Sequence, residues 1–296
     1  MAITKDTDSV GIVGLGIMGG AFARNLVKAG WTVAGFDVGP SQRQSLAAAG
    51  VRIAPDTPAV AAGCSVVITS LPTLKALHSV AEELAGCKDR ARIVLETSTV
   101  PLADKQRFAD AVSAAGHTVI DCPVSGTGAQ AETRDLILYP SGDSAAIESL
   151  AGLFAGFARG WYDVGAFGNG TRMKFIANHL VAIHNVASAE AMLLAERAGL
   201  DLDVVIECIG NGAGASRMFQ MRAPLMVHHA YTPATMKMIN WMKDMDAIAG
   251  FAQDLGVSTP MFDMTRPLYE KAIEEGRNDE DTAAVFSVIG GKGKTD

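Results

Sequence analysis

The sequence predicts a doubly wound parallel α/β domain followed by an all-α domain, the two joined by one long helix. Three observations predict it. The first half alternates short, β-rich apolar runs with segments of helical period. A glycine-rich loop, Gly11-Ile12-Val13-Gly14-Leu15-Gly16-Ile17-Met18-Gly19, stands between the first apolar run and the first amphipathic stretch. Beyond Gly168 the strand pattern stops and helical periodicity takes over.

The glycine loop opens a helical segment over 21–29. Strand, glycine loop and helix, in that order, are what a dinucleotide pyrophosphate needs. Gly14 permits a tight turn, Gly16 lets the backbone approach the phosphates, and Gly19 lets the helix pack closely. The helix N-terminus offers free N–H donors to the anion. Residues 32–36 read as a second strand ending on Asp37, at about the 20-residue spacing of a ribose-binding carboxylate. The first domain is therefore Rossmann-type. A carboxylate at this position accepts hydrogen bonds from the ribose hydroxyls of NAD and repels the extra phosphate of NADP, whose sites usually place an Arg nearby. The first Arg here is Arg43, on the next predicted helix, so NAD is favoured over NADP. The competing reading of Asp37 is a cap on the helix that starts near Ser41.

Segments 65–69, 92–95 and 118–120 read as buried parallel strands, and 74–84 and 103–114 as covering helices. The runs 136–139 and 157–164 are expected to extend the sheet. Residues 170–198 form one long helical candidate closed by Gly199, a good C′ residue. At the standard rise such a helix is about 45 Å long, so it is expected to bridge both domains. Later helical segments are split by Gly210-Asn211-Gly212, Pro224, Tyr231-Thr232-Pro233, Gly256 and Pro260. The expected domains are 1–167, dinucleotide-binding, and 168–296, helical and carrying substrate and oligomer contacts. The short linker 165–168 implies tight packing with a cleft between them.

Composition bounds the rest. With 296 residues, 49% of them apolar, the chain can bury a sizeable core. A net charge of −7 argues against a nucleic-acid partner. The N-terminal stretch is polar and acidic, without the apolar region of a signal peptide. The most apolar long segment, 176–195, carries Asn178, His179, His184, Asn185 and Glu190, so it reads as a buried helix of a soluble protein and not a membrane span. Cys64, Cys87, Cys122 and Cys208 show no CxxC or metal spacing, which fits structural thiols in a reducing cytoplasm. The histidines lack ligand spacing, and nothing in the sequence requires a metal.

Three later segments bear on chemistry. Asp121-Cys122-Pro123-Val124-Ser125-Gly126-Thr127-Gly128 ends a predicted strand in a turn whose hydroxyl and close N–H groups could hold a carboxylate, or in an ordinary loop. Lys174 and Asn178, at i and i+4, share a helix face. A lysine facing a cleft serves as general acid or base when burial or a nearby cation lowers its pKa; otherwise it is a solvated surface group. Lys243-Asp244 taken alone reads as a solvated helix face. Ser98 and Thr99 fit helix capping, with Pro101 in the first turn.

Taken in order, the Gly14-to-Gly19 loop, the Asp121-to-Gly126 turn, Gly168-x-Gly170-x-x-x-Lys174-x-x-x-Asn178 and Lys243-Asp244 resemble the β-hydroxyacid dehydrogenase family, from about Val10 to Val288. The resemblance implies an oxidoreductase that moves a hydride between a small 3-hydroxy acid and NAD. Lys174 would exchange the hydroxyl proton, and Asn178 would orient the substrate or the lysine. Ser125 and Gly126, with Thr127, would bind the carboxylate. Gly14, Leu15, Gly16, Ile17, Met18, Gly19, Asp37, Leu71, Pro72, Thr99 and Lys243 would contact the cofactor. The charge of Lys243 could also lower the pKa of Lys174. Two positions depart from the pattern: Thr127 replaces a common second Gly, and Arg134 stands where many members have Gly. Ser216-Arg217-Met218-Phe219, Arg222-Ala223-Pro224 and Tyr231-Thr232-Pro233 look like the branch that contains threonate dehydrogenases, which act on small sugar acids. Seven methionines between Met218 and Met245 read as core filler more readily than as a pocket wall. An imine reductase of shared architecture and a non-catalytic nicotinamide sensor are the rival readings; the intact Lys174 weighs against both. The long apolar helix also implies a homodimer or homotetramer.

Overall fold

The computed structural model describes residues 2–291, so the last five positions of the expected second domain lie outside the described residues. The chain divides into two compact units, Met1–Lys174 and Phe175–Asp296. The division falls inside the long helix, not at its start.

In the first unit six parallel strands form one sheet: β1 (Ser9–Val13), β2 (Thr32–Phe36), β3 (Arg52–Ile53), β4 (Val66–Thr69), β5 (Ile93–Glu96) and β6 (Thr118–Asp121), in the order β3-β2-β1-β4-β5-β6. Parallel strands are covered on both faces, and here alternate residues feed two cores. Val10, Ile12, Val66, Ile68, Leu95 and Ile120 point to one, which packs on Phe22 and Leu26 of α1 (Ile17–Lys28). Val13, Val67, Val94 and Val119 point to the other, beneath α3 (Thr57–Ala62), α4 (Leu74–Ala85) and α5 (Leu102–Ser113). The short helix α2 (Pro40–Ala48) follows β2.

The expected extension of the sheet does not occur. Val124–Ser125 (β7), Ile137–Leu138 (β8) and Gly160–Trp161 (β9) form a separate three-stranded sheet in the order β7-β8-β9. The reason lies at Asp121, which bridges Ser141 in antiparallel fashion and so ends the parallel ladder. Phe157 closes a helix, not a strand. The helices of this region are α6 (Gly128–Glu132), α7 (Ser144–Ser149) and α8 (Ala151–Phe157), and α8 sends Phe154 and Phe157 into the α1 core.

The long helix α9 runs Asn169–Arg197, 29 residues. It stops at a Schellman motif. Gly199 takes φ +72°, its N–H reaches the Glu196 carbonyl, and the Leu200 N–H reaches that of Ala195. The second unit continues with α10 (Leu202–Gly210), α11 (Arg217–Val227), α12 (Met238–Asp254), α13 (Pro260–Glu274), a 3-10 turn at Thr282–Ala284 and α14 (Val285–Ile289). Its core gathers Ala182, Val186, Ala189 and Met192 of α9 around Trp241, Phe262 and Tyr269. Met226, Met238 and Met245 are fully buried in it and pack as filler, while Met218, Met221, Met236 and Met242 are partly buried. No helix among the described residues is long and apolar enough to cross a membrane.

Candidate active site

The glycine loop leaves β1 by a turn that only glycine makes easily: Gly14 has φ +91°, and a Cβ there would strike the Ser70 carbonyl oxygen. A Cβ on Gly19 would strike the Gly14 carbonyl oxygen, so α1 seats its first turn directly on the loop. Gly16 differs, because its Cβ direction is open. Gly16 is also the N-cap of α1 and supplies no side-chain cap, so the N–H groups of the first turn are left for an anion. An open cradle beside uncapped donors fits a dinucleotide pyrophosphate.

Asp37 stands beside this loop at the end of β2. Its Oδ2 accepts the Leu15 N–H at 2.7 Å and its Oδ1 the Gly39 N–H at 2.7 Å. Each carboxylate oxygen has a further lone pair, so both retain capacity for ribose hydroxyls. The capping alternative is corrected: α2 has Gly39 as its N-cap and no side-chain cap. Arg43, on α2, donates to the Asp37 backbone carbonyl at 2.9 Å.

The neighbouring strand ends are cross-tied. Ser98 Oγ accepts the Leu71 N–H at 2.8 Å, and Thr97 Oγ1 donates to the Thr69 carbonyl at 2.7 Å. Leu71 is buried, Pro72 is exposed and Thr99 is partly exposed, all beyond the carboxyl ends of β4 and β5, where ligands of such sheets bind. The capping reading of Ser98 and Thr99 is likewise corrected, since α5 starts after Pro101 without a side-chain cap.

The turn after β6 meets the start of α9. A Cβ on Gly170 would strike the Tyr139 carbonyl and approach Pro123 Cδ at 2.9 Å and the Asp121 carbonyl at 3.0 Å; the helix therefore docks backbone to backbone. Gly126 has φ +142°, with Leu136 against its Cβ direction. Thr127 caps α6, accepting the Gln130 N–H and returning its own N–H to Gln130 Oε1 at 3.0 Å. The Thr127 departure is thus the first half of a capping box. Beneath the turn, Lys105 is fully buried, its Nζ 2.6 Å from Glu96 Oε2, 2.9 Å from Asp121 Oδ1 and 2.8 Å from the Ser98 carbonyl. Burial works against the Lys105 charge, but Asp121 and Glu96 outweigh it and raise its pKa above the usual lysine value.

Lys174 and Asn178 lie one turn apart on α9, 8% and 5% exposed. In the second unit, Asn178 Nδ2 donates to Asp244 Oδ2 at 3.2 Å, and Lys243 Nζ, half exposed, lies 4.0 Å from Asp244 Oδ1. The structure thus brings Asn178 and the Lys243-Asp244 pair together. It gathers the glycine loop, Asp37, Leu71, Pro72, Thr99 and the Ser125–Thr127 turn at the carboxyl ends of the first unit's strands. Sequence reasoning missed Asp244 as a partner of Asn178, although its place beside Lys243 was a signal. It missed Lys105 and Glu96 altogether, because an ion cluster under a sheet edge leaves no periodic trace.

Comparison with known proteins agrees with this layout. The family model for the NAD-binding domain of 6-phosphogluconate dehydrogenase matches residues 9–168. The model described as NAD-binding of NADP-dependent 3-hydroxyisobutyrate dehydrogenase matches residues 168–289. The L-threonate dehydrogenase of Escherichia coli K12 is 32% identical over 95% of this chain and 95% of its own. A chloroplastic glyoxylate/succinic semialdehyde reductase of Arabidopsis thaliana is 29% identical over 96% of this chain and 80% of its own. A crystal structure of 3-hydroxyisobutyrate dehydrogenase from Salmonella typhimurium superposes with a TM-score of 0.84 at 30% identity, covering 95% of this chain and 99% of that one.

Proposed function

The chain belongs to the β-hydroxyacid dehydrogenase family, and from that premise we propose that it reversibly oxidises a small 3-hydroxy acid with NAD, using Lys174 as general acid and base. The observation that carries this reading is Lys174 itself, buried one turn from Asn178 on a helix whose start is docked against Asp121, Pro123 and Tyr139. The glycine loop and Asp37 would hold the dinucleotide, with Leu71, Pro72, Thr99 and Lys243 as further contacts. Bound NAD supplies the hydride acceptor. Ser125 and Gly126 bind the substrate carboxylate, and Thr127 shapes the turn as its cap. Lys174 Nζ takes the hydroxyl proton as the carbonyl forms and returns it in reduction. Asn178 orients the reacting group. A positioned acid–base group is worth about 10²–10⁴ in rate. The favoured substrates are sugar acids of the threonate or glycerate type, in keeping with the E. coli relative.

We favour NAD over NADP because Asp37 would meet the ribose hydroxyls and repel a phosphate there, while Arg43 donates to a backbone carbonyl. The four unpaired cysteines fit a reducing, cytoplasmic compartment. A homodimer or homotetramer is proposed on the helical unit. An apolar cavity of about 550 Å³ there is lined by Phe175, Ile176, Phe251 and Leu255 and bordered by exposed Met261.

The test follows nicotinamide reduction optically over threonate, glycerate, 3-hydroxyisobutyrate and 3-hydroxypropionate, with Lys174→Ala alongside. Turnover that vanishes in Lys174→Ala while NADH binding survives is the expected result. Equal turnover in the variant removes Lys174 from the mechanism, and tight NADH binding with no turnover of any acid overturns the substrate class.

A further inference from the structure

One carboxylate holds the start of the helix that carries Lys174. Asp121 closes β6. Its Oδ2 accepts the Thr171 backbone N–H at 2.8 Å, and its Oδ1 accepts the Thr171 hydroxyl at 2.9 Å. Both bonds land in the first turn of α9, where N–H groups lack intrahelical partners and negative charge is favoured. Ser141 Oγ completes the clamp by accepting the Gly170 N–H at 2.9 Å.

Asp121 is itself held from below. Its Oδ1 lies 2.9 Å from Lys105 Nζ, and Lys105 also pairs with the Glu96 carboxylate at 2.6 Å and donates to the Ser98 carbonyl. Glu96 and Asp121 are register partners across β5 and β6. A buried ion group of this kind is weak as a source of stability, since well-packed apolar side chains of like volume serve as well or better. What it supplies is a fixed position. Two chains leave that position. One is β6, which runs through Pro123 to Ser125. The other is α9, where Lys174 follows Thr171 by three residues, one turn along the same side of the helix. Gly170, with no room for a Cβ against Tyr139, Pro123 and Asp121, locks the two together.

We propose that Asp121 and Thr171, braced by Lys105 and Glu96, are positioning residues that set where Lys174 stands relative to the Ser125–Gly126 turn. The inference rests on the reading of Lys174 as the acid–base group. It predicts that loosening the clamp at Thr171 slows the chemical step and leaves cofactor binding alone, because Thr171 bonds to Asp121 and not to the glycine loop.

The test compares Thr171→Val, Thr171→Ser and Asp121→Asn with the full-length wild type and with Lys174→Ala. Thr171→Val keeps the backbone bond and the side-chain volume but removes the hydroxyl bond; Thr171→Ser keeps the hydroxyl. Asp121→Asn keeps one acceptor oxygen and removes the charge. The readouts are kcat and KM for the hydroxy acid, the pH profile of kcat, NADH binding by fluorescence, and Tm. We expect Thr171→Val to lower kcat by about tenfold or more, since a 1 Å misplacement can cost about 10²-fold. NADH affinity should stay unchanged, and Thr171→Ser should restore most of the loss. Wild-type kcat and pH profile in a folded Thr171→Val overturn the inference; if that variant does not fold, wild-type values in Asp121→Asn do so. Should Lys174→Ala retain activity, the reading of Lys174 fails first and takes the positioning role with it. Loss in Lys174→Ala alone overturns only the positioning role.

Discussion

Asn178 donates through Nδ2 to the Asp244 carboxylate at 3.2 Å, which ties α9 to α12 within the helical unit and fixes which way the Asn178 amide faces. A hydrogen bond to a charged group is worth about 1.5–3 kcal/mol. Asp244→Ala should therefore lower kcat/KM for the hydroxy acid by about 10- to 100-fold, and Asp244→Asn by less, since one acceptor oxygen remains. Steady-state kinetics with the acid varied at saturating NAD decides it. Undiminished kcat/KM in Asp244→Ala would show that Asn178 is oriented by something else.

Arg134 occupies a glycine's position. It has φ +61°, its N–H reaches the Ala131 carbonyl, and the Asp135 N–H reaches that of Gln130, which makes Arg134 the C′ residue closing α6. The left-handed conformation costs a side-chain-bearing residue about 1–2 kcal/mol. Glycine recovers that but gives back about 0.4–1 kcal/mol through the freer unfolded chain. The Arg134 side chain is exposed, so little packing is lost. Arg134→Gly should raise stability by about 0.5–1 kcal/mol, a rise in Tm of about 1–4 °C. Thermal melts at fixed concentration check this, and a lower Tm would mean that the arginine makes a compensating contact.

Much of the first unit was legible because its rules are local. Gly14, Gly16, Gly19 and Asp37 announce strand, turn, helix and strand in a fixed spacing, and the structure has those elements in that order, with the tight turn at Gly14 and the close helix packing at Gly19. Gly199 announced the end of α9 for the same reason. The failures are non-local. Leu138 and Trp161 look like sheet residues and are, but in another sheet, because the Asp121–Ser141 bridge turns the chain away. Strand β3 is two residues long and escaped notice. Lys105 sits on an amphipathic helix where lysines usually meet solvent, and only the fold reveals Glu96 and Asp121 around it.

Asp37 braces the glycine loop and is proposed to hold the ribose, and substitution should separate the two. Asp37→Ala removes the acceptor of the Leu15 N–H and of the Gly39 N–H as well as the proposed ribose contact. NAD affinity should fall by about 10- to 100-fold on the scale of one charged hydrogen bond, and the NAD-to-NADP preference should shrink. Fluorescence titration with both reduced cofactors measures the two effects separately. A lower affinity with an unchanged preference would leave Asp37 as a brace of the loop only.

Thiol chemistry should follow burial. Burial pushes the Cys64 thiol above its ordinary pKa, and burial together with the Asp121 carboxylate does the same for Cys122, so both remain protonated and covered. Cys208 is exposed on α10. Iodoacetamide at mildly alkaline pH should label Cys208 in the native protein and reach Cys64 and Cys122 only after denaturant is added. Peptide mass spectrometry reads the order, and native labelling of Cys122 would mean that the region around Asp121 opens readily.

The glycine loop offers two substitutions of equal size with opposite consequences. Gly16 has a negative φ, −68°, and its Cβ would enter open space, so Gly16→Ala should lower Tm far less than Gly19→Ala. That space is where a pyrophosphate would come closest to the backbone, and one methyl group there should weaken NADH binding by about tenfold or more, about 1.4 kcal/mol. Gly19 has no such room, because its Cβ would sit on the Gly14 carbonyl oxygen, a backbone atom that cannot swing aside. Gly19→Ala should therefore cost about 1–3 kcal/mol of stability, the usual range for overpacking. Its effect on NADH binding should follow from the distorted loop. Melting curves and NADH titrations on the two variants separate the roles expected of them, the ligand's space for Gly16 and the fold's packing for Gly19. If Gly16→Ala binds NADH as tightly as the wild type, the phosphates do not lie against Gly16, and the cradle reading of this loop falls while the packing reading of Gly19 stands.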